Sequence, residues 1–129
     1  MKRKAAELIL KYWLPVFLWS ALIFWLSSIP GLESGLEGKT DFALRKLAHL
    51  AEYGILAILW LRALTAGGLS RRRAFLFSIL FCAAFAISDE IHQLYVPGRE
   101  GRISDVLIDV VGVILGVCIY LWVQKTRRR

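Results

Sequence analysis

Two short stretches of this 129-residue chain concentrate side chains able to hold a metal, move a proton or grip an anion. The first, residues 45–53, reads RKLAHLAEY and carries Lys46, His49, Glu52 and Tyr53. The second, residues 87–109, reads ISDEIHQLYVPGREGRISDVLID and carries Asp89, Glu90, His92, Gln93, Arg99, Arg102, Asp105 and Asp109. On a helix, positions 46, 49 and 53 share one face, with Glu52 three residues beyond His49. Asp89 stands three residues before His92 and four before Gln93, and Asp105 stands four before Asp109. A histidine and a carboxylate three apart on one helix face suit acid–base work or metal ligation in a helix bundle. His49, Glu52, Asp89 and His92 are therefore the candidates for catalysis and for metal binding. A divalent metal ion is the cofactor they would hold, with Asp105 or Asp109 adding an oxygen ligand. No HExxH motif is present, so a zincin-type site is not specified. Arg99 and Arg102 suit two-pronged contact with a carboxylate or phosphate, and Lys46 offers a point charge. With Tyr53, Glu90, Gln93, Asp105 and Asp109, they form the candidate ligand-binding set.

These residues are set in a very apolar chain: 57% of it is hydrophobic and its mean hydropathy is +0.56. Residues 12–26, 74–88 and 110–123 hold almost nothing ionisable outside their edges, and residues 47–61 are interrupted only by His49 and Glu52. Each block with its flanks reaches the roughly 20 residues that a helix needs to cross about 30 Å of hydrocarbon. Helices satisfy their own backbone hydrogen bonds, which lipid cannot do for them. The fold class that follows is all-α: a polytopic membrane protein, one four-helix transmembrane bundle over residues 1–129, with the lipid bilayer as its first partner. The first helix is expected over about residues 11–28, the second over 42–62, the third from the Arg71-Arg72-Arg73 run to Gln93, and the fourth from about Ser104. Ser104 is placed to cap that last helix, with Asp105 in its first turn. The amino-terminal MKRK resembles the start of a signal peptide, but the apolar run is too long and lacks an A-x-A site, so an uncleaved helix is expected.

Twelve of the 17 basic residues lie in the amino terminus, the connection between the second and third helices, and the tail. Glu7 is the sole acid among them. The positive-inside rule then places both termini in the cytoplasm of an inner-membrane protein. Basic residues grouped at helix ends, rather than along a soluble face, argue against nucleic acid as a partner. Trp13, Trp25 and Trp122 fall where an interfacial aromatic belt belongs, while Trp19 and Trp60 read as packing residues. Cys82 and Cys118 read as small buried apolar side chains rather than a disulfide pair.

Topology brings residues 45–53, 88–93 and 104–109 to one depth at one end of the bundle. A charge at the bilayer centre costs about 2.5–3.5 kcal/mol, so these groups should turn inward and pair or line a wet cleft. Gly112 and Gly116, on the face that continues from Asp105 and Asp109, would let a neighbouring helix approach closely. Three uses are open: a structural network that orders the helices, a site for an anionic cell-envelope group, and a metal or acid–base centre. Arg45, Lys46, Arg99 and Arg102 face six carboxylates (Glu52, Asp89, Glu90, Glu100, Asp105 and Asp109), a formal −2 that does not by itself favour an anion. Ion transport would need a polar path continuing through the apolar third and fourth helices, and none is visible.

The block at residues 45–53, the block DE-x-x-Q, P-x-R, D-x-x-x-D-x-x-G within residues 88–116, and LSSIPG at residues 26–31 together resemble the VanZ-like membrane proteins. The resemblance spans nearly the whole chain and implies four membrane helices. Many members carry Asp-Lys where this chain has Arg45-Lys46, and Asn where it has Asp109. The family is named for a protein linked to teicoplanin resistance. The resemblance therefore implies a cell-envelope setting, with an envelope lipid or peptidoglycan precursor as partner and glycopeptide tolerance as the associated trait. A metal- or acid–base-assisted hydrolase or transferase acting on an envelope lipid headgroup is the enzymatic alternative. Oligomeric state is not specified by the sequence.

Overall fold

A computed structural model describes residues 2–31 and 38–127. The centre of the acidic connection after the first apolar block (residues 32–37) and Arg128 and Arg129 of the basic tail lie outside the described residues. Helix α1 (Lys2–Leu8) passes through one π-helical turn (Ile9–Trp13) into α2 (Leu14–Ser27). α3 (Lys39–Ala66), α4 (Arg71–Gln93) and α5 (Ile103–Thr126) follow, and no strand occurs among the described residues. Four stretches, Ala5–Ser27, Lys39–Ala66, Arg71–Gln93 and Ile103–Thr126, are long and apolar enough to cross a membrane.

Local chemistry accounts for the boundaries. Pro15 has no N–H, and in a regular helix its ring would meet the carbonyl four residues back. The π-turn just before it, where Leu14 N–H reaches Ile9 O, widens the helix there and removes the conflict. The first helix starts well before residue 11, because Ala5, Ala6, Glu7 and Leu8 carry helical propensity through the charged leader. α3 begins at Lys39 rather than Phe42 and extends to Ala66, with the Thr65 hydroxyl donating to Leu61 O at 2.7 Å. Gly68, at φ +97°, then turns the chain in a conformation that side chains avoid. Ser104 does not cap α5. The helix starts one residue earlier, from an extended Arg102, and the Ser104 hydroxyl instead lies 3.3 Å from Asp105 Oδ1.

α3 is the central helix, packed most extensively against α5, then α4, then α2. α3 and α5 run parallel, since both start from the end of the bundle away from the termini. Their backbones meet through glycine. A Cβ on Gly112 would stand 2.9 Å from Leu50 Cα, and one on Gly116 only 2.7 Å from Gly54 Cα. The Gly112–Gly116 pair thus finds its close neighbour, and Gly54 supplies the other half of the contact. Tyr53, Leu56, Ala57, Val113 and Val117 fill the interior around it.

Polarity is arranged inside out, as lipid requires. Phe17 is 64% exposed and Trp122 66%, whereas Asp109 is completely buried. Trp25 and Trp122 face outward, as the interfacial reading expects. Trp13 instead packs edge-on against Trp60 at 5.6 Å, and Trp60 stacks on Phe81 at 4.7 Å. Trp19 Nε1–H donates to the Glu52 carbonyl at 2.9 Å. Cys82 is buried, but Cys118 is exposed, contrary to expectation. The buried stripe of α5, with Asp105, Asp109, Gly112, Val113 and Val117, is the face that Asp105, Asp109 and Gly112 mark in the sequence, and Cys118 lies off it.

The glycine contact makes a direct prediction. Gly112→Ala and Gly116→Ala should each lower stability by about 1–3 kcal/mol, because backbone and not a flexible side chain occupies the space. Cys118→Ala should be neutral. Unfolding of the detergent-solubilised protein by heat or SDS, followed by circular dichroism, measures both.

Candidate functional site

The site grows from the α3–α5 seam. One turn above the glycine contact, His49 Nδ1 lies 3.0 Å from Asp109 Oδ1. A turn further toward the helix starts, Lys46 Nζ pairs with Asp105 Oδ1. The two pairs are separated by 60 and 59 residues in sequence, the near-constant offset of two parallel helices in register. An i, i+3 pair on α3 therefore faces an i, i+4 pair on α5 as two rungs of a ladder.

α4 closes the third side. Glu90 Oε2 accepts the Arg102 N–H at 2.9 Å, which takes up a donor at the start of α5 that no local side chain satisfies. Asp89 Oδ2 accepts from Gln93 Nε2 at 3.2 Å, one turn along the same helix. Donor atoms of His49, Glu90 and Asp109, one from each helix, lie within 4.8 Å of one another. The Tyr53 ring, fully buried, packs against Phe85 at 6.2 Å, and its hydroxyl has no hydrogen-bond partner. Single oxygens of Glu90 and Asp109 are likewise buried without a partner, while the Ser27 hydroxyl and Asp89 face each other.

Arg99 ties the connection after α4 to the end of α2. Its Nε donates to Ile29 O at 3.1 Å and its Nη2 to Leu26 O at 2.8 Å. Carbonyls at a helix end lack intrahelical donors and sit at the negative pole of the helix, so a guanidinium is well matched to them. Burial lowers the Arg99 pKa from its ordinary value, and nearby Arg45 adds to this while Asp89 opposes it. An arginine so shifted still carries its charge at neutral pH.

Not every candidate joins the cluster. His92 turns to the end of α2, where Nε2 lies 2.9 Å from the Ser28 hydroxyl and the ring stacks on Phe24 at 4.4 Å. It does not face His49. Glu52 lines a cavity of about 60 Å³ between α2, α3 and α4, together with Ser27, Asp89 and Arg99. Arg102 extends outward and pairs with the exposed Glu100.

A larger cleft of about 300 Å³ opens above this cavity, at the end of the bundle away from the termini. Arg45, Lys46, Arg99 and Arg102 line it, with Glu100 and Asp105 as the carboxylates and His49, Gln93, Phe42 and Gly98 completing the wall. The remaining acids, Glu52, Asp89, Glu90 and Asp109, do not reach its lining. The formal −2 of the sequence is thus split by depth into a cationic mouth and an acidic floor. Arg45, held by Asp41 at 2.9 Å, and Phe42 belong to the mouth but were absent from the candidate set. Their place one turn before Lys46 and His49 was the available signal. Ser27 and Ser28 were visible only within the LSSIPG segment.

Losing the Arg99 clamp should be costly. Arg99→Lys cannot reproduce a fork across two carbonyls and should cost about 1.5–3 kcal/mol. Arg102→Lys, on an exposed pair, should cost less than about 1 kcal/mol. Thermal unfolding of the two variants side by side measures the difference.

A bundle of four membrane-spanning helices that encloses a charged cleft at one end defines a multi-pass membrane protein with a buried polar centre. The sequence profile of the VanZ/LLP1 family matches residues 3–124, and the chain belongs to that family. No curated protein and no solved structure matches the chain.

Proposed function

We propose that the protein sits in the inner membrane with both termini in the cytoplasm, and that the cationic mouth opens toward the envelope to take an anionic group. The phosphate of an envelope lipid, or of a peptidoglycan precursor, is the ligand class that fits. One observation carries this reading: four cationic side chains and only two carboxylates line the cleft. Arginine and lysine together suit a phosphate, the first by paired donors and the second as a concentrated charge. A cleft of about 300 Å³ is at the small end of ligand sites and matches a headgroup rather than a whole lipid. Exposed Leu44, Leu47, Ile103 and Leu107 flank the same end of the bundle and offer apolar surface for acyl chains. Orientation rests on the basic residues: 12 of 17 lie at the end of the bundle that holds the termini, the last turns of α3 and the start of α4. Teicoplanin tolerance is the cellular trait in which this activity would be scored.

The purified protein should bind vesicles or nanodiscs containing phosphatidylglycerol more tightly than phosphatidylcholine ones, and native mass spectrometry from membranes should find an anionic lipid retained. The double variant Arg45→Gln/Lys46→Gln should weaken that binding about tenfold, or about 1.4 kcal/mol. Equal binding to both lipids, unchanged in the variant, would remove the reading. A reporter fused to the carboxyl tail should be active only in its cytoplasmic form. An externally accessible tail would invert the topology and turn the mouth away from the envelope.

A further inference from the structure

The floor of the cleft carries a second, chemically different feature. Glu52, Asp89, Glu90 and Asp109 gather below the mouth, where the four carboxylates outnumber the basic side chains beside them, Arg99 and His49. Lys46 is held by Asp105, Arg45 by Asp41, Arg102 by Glu100, and Arg99 by two main-chain carbonyls. Buried carboxylates without a counter-ion are costly in a membrane interior. At the centre of the group, donor atoms of His49, Glu90 and Asp109 lie within 4.8 Å of one another. Donors about 2.0–2.2 Å from a common ion stand at up to about 4.4 Å from each other, so little adjustment brings these three onto one centre.

Two further observations point to an occupant. Asp109, fully buried, and Glu90, 5% exposed, each keep one oxygen without any hydrogen-bond partner. The Tyr53 hydroxyl, on the same helix as His49, is also fully buried and has no hydrogen-bond partner. Buried polar atoms are ordinarily satisfied, so the lone oxygens of Asp109 and Glu90, the two acids of this donor group, leave room for a partner. His49 Nδ1 and Asp109 Oδ1 stand 3.0 Å apart, within the spacing of two donors to one ion, and Glu90 Oε2 is held by a second contact, the Arg102 N–H. Such contacts orient metal-binding carboxylates. An entry path exists, because His49 also lines the open cleft.

We infer that His49, Glu90 and Asp109 form a binding site for one divalent transition-metal ion, of the Zn²⁺ or Mn²⁺ class. One imidazole with two carboxylates suits these ions, whereas Mg²⁺ and Ca²⁺ favour oxygen ligands alone. The site draws one ligand from each of α3, α4 and α5, so the ion would also tie the bundle together at its polar end. Three protein ligands leave a coordination position for water or for an oxygen of a molecule held in the mouth.

The test uses the full-length protein in detergent and the metal alone, so it is independent of whether the mouth takes a lipid. Elemental analysis after loading and desalting should find about one Zn²⁺ or Mn²⁺ per chain. Titration with Co²⁺ should give a visible absorption band that saturates at one equivalent. Glu90→Gln, Asp109→Asn and His49→Gln should each weaken binding about 10- to 100-fold, while Cys118→Ala, which removes the exposed thiol, should leave it unchanged. No stoichiometric ion in the unmutated protein overturns the site. So does wild-type affinity in Glu90→Gln and His49→Gln, which would mark adventitious binding. If Asp109→Asn fails to fold, the unmutated protein and the other two variants decide the matter.

Discussion

The close approach of α3 and α5 is the contact on which the polar centre depends. Gly54, Gly112 and Gly116 let the two backbones touch, and a methyl group at any of them would meet main-chain atoms of the other helix. Because the helices are parallel and in register, that contact also sets the two rungs above it, His49 with Asp109 and Lys46 with Asp105. In lipid there is no hydrophobic force to press helices together, so small residues and interhelical polar pairs must supply the association. Here both devices act on the same seam, and the second is positioned by the first.

Separation of charge by depth is what gives the cleft its electrostatic character. Counted along the sequence, acids outnumber bases in this region. Folded, the bases rim a cleft of about 300 Å³ while four acids lie beneath it. A network serving structure alone would be expected to close on itself, with each buried oxygen taken by a donor. Instead, oxygens of Glu90, Asp109 and Tyr53 remain buried and unpartnered. The polar centre is thus held by a glycine seam and an arginine clamp around these buried oxygens.

Arg99 shows how the short connections contribute. Its side chain reaches back 70 residues to the carbonyls that end α2, which fastens the most loosely packed helix to the polar end of the bundle. Its own charge stays at the junction of mouth and floor, since it lines both cavities. The same residue therefore acts on helix order and on the electrostatics of the cleft.

Much of this was legible in the sequence, and for identifiable reasons. Four apolar blocks bounded by charge specify four helices, because length and hydropathy alone decide what crosses a bilayer. The helix starts and stops then bring residues 45–53, 88–93 and 104–109 to one end without further information. The spacing of Lys46 and His49, and of Asp105 and Asp109, already marked two faces that had to turn inward. Which faces meet was decided by tertiary structure. Glu90, rather than its neighbour Asp89, brings an oxygen within 4.8 Å of donor atoms of both His49 and Asp109, and His92 points to Ser28 instead, because the rotation of α4 about its axis is set by packing against α3 and α5. Cys118 was misplaced for another reason: in lipid an apolar side chain can face outward, and Cys118 lies off the stripe of Asp105, Asp109 and Gly112. The pattern of the chain determined what had to be hidden from lipid; the packing of three helices decided which of the hidden groups would face one another.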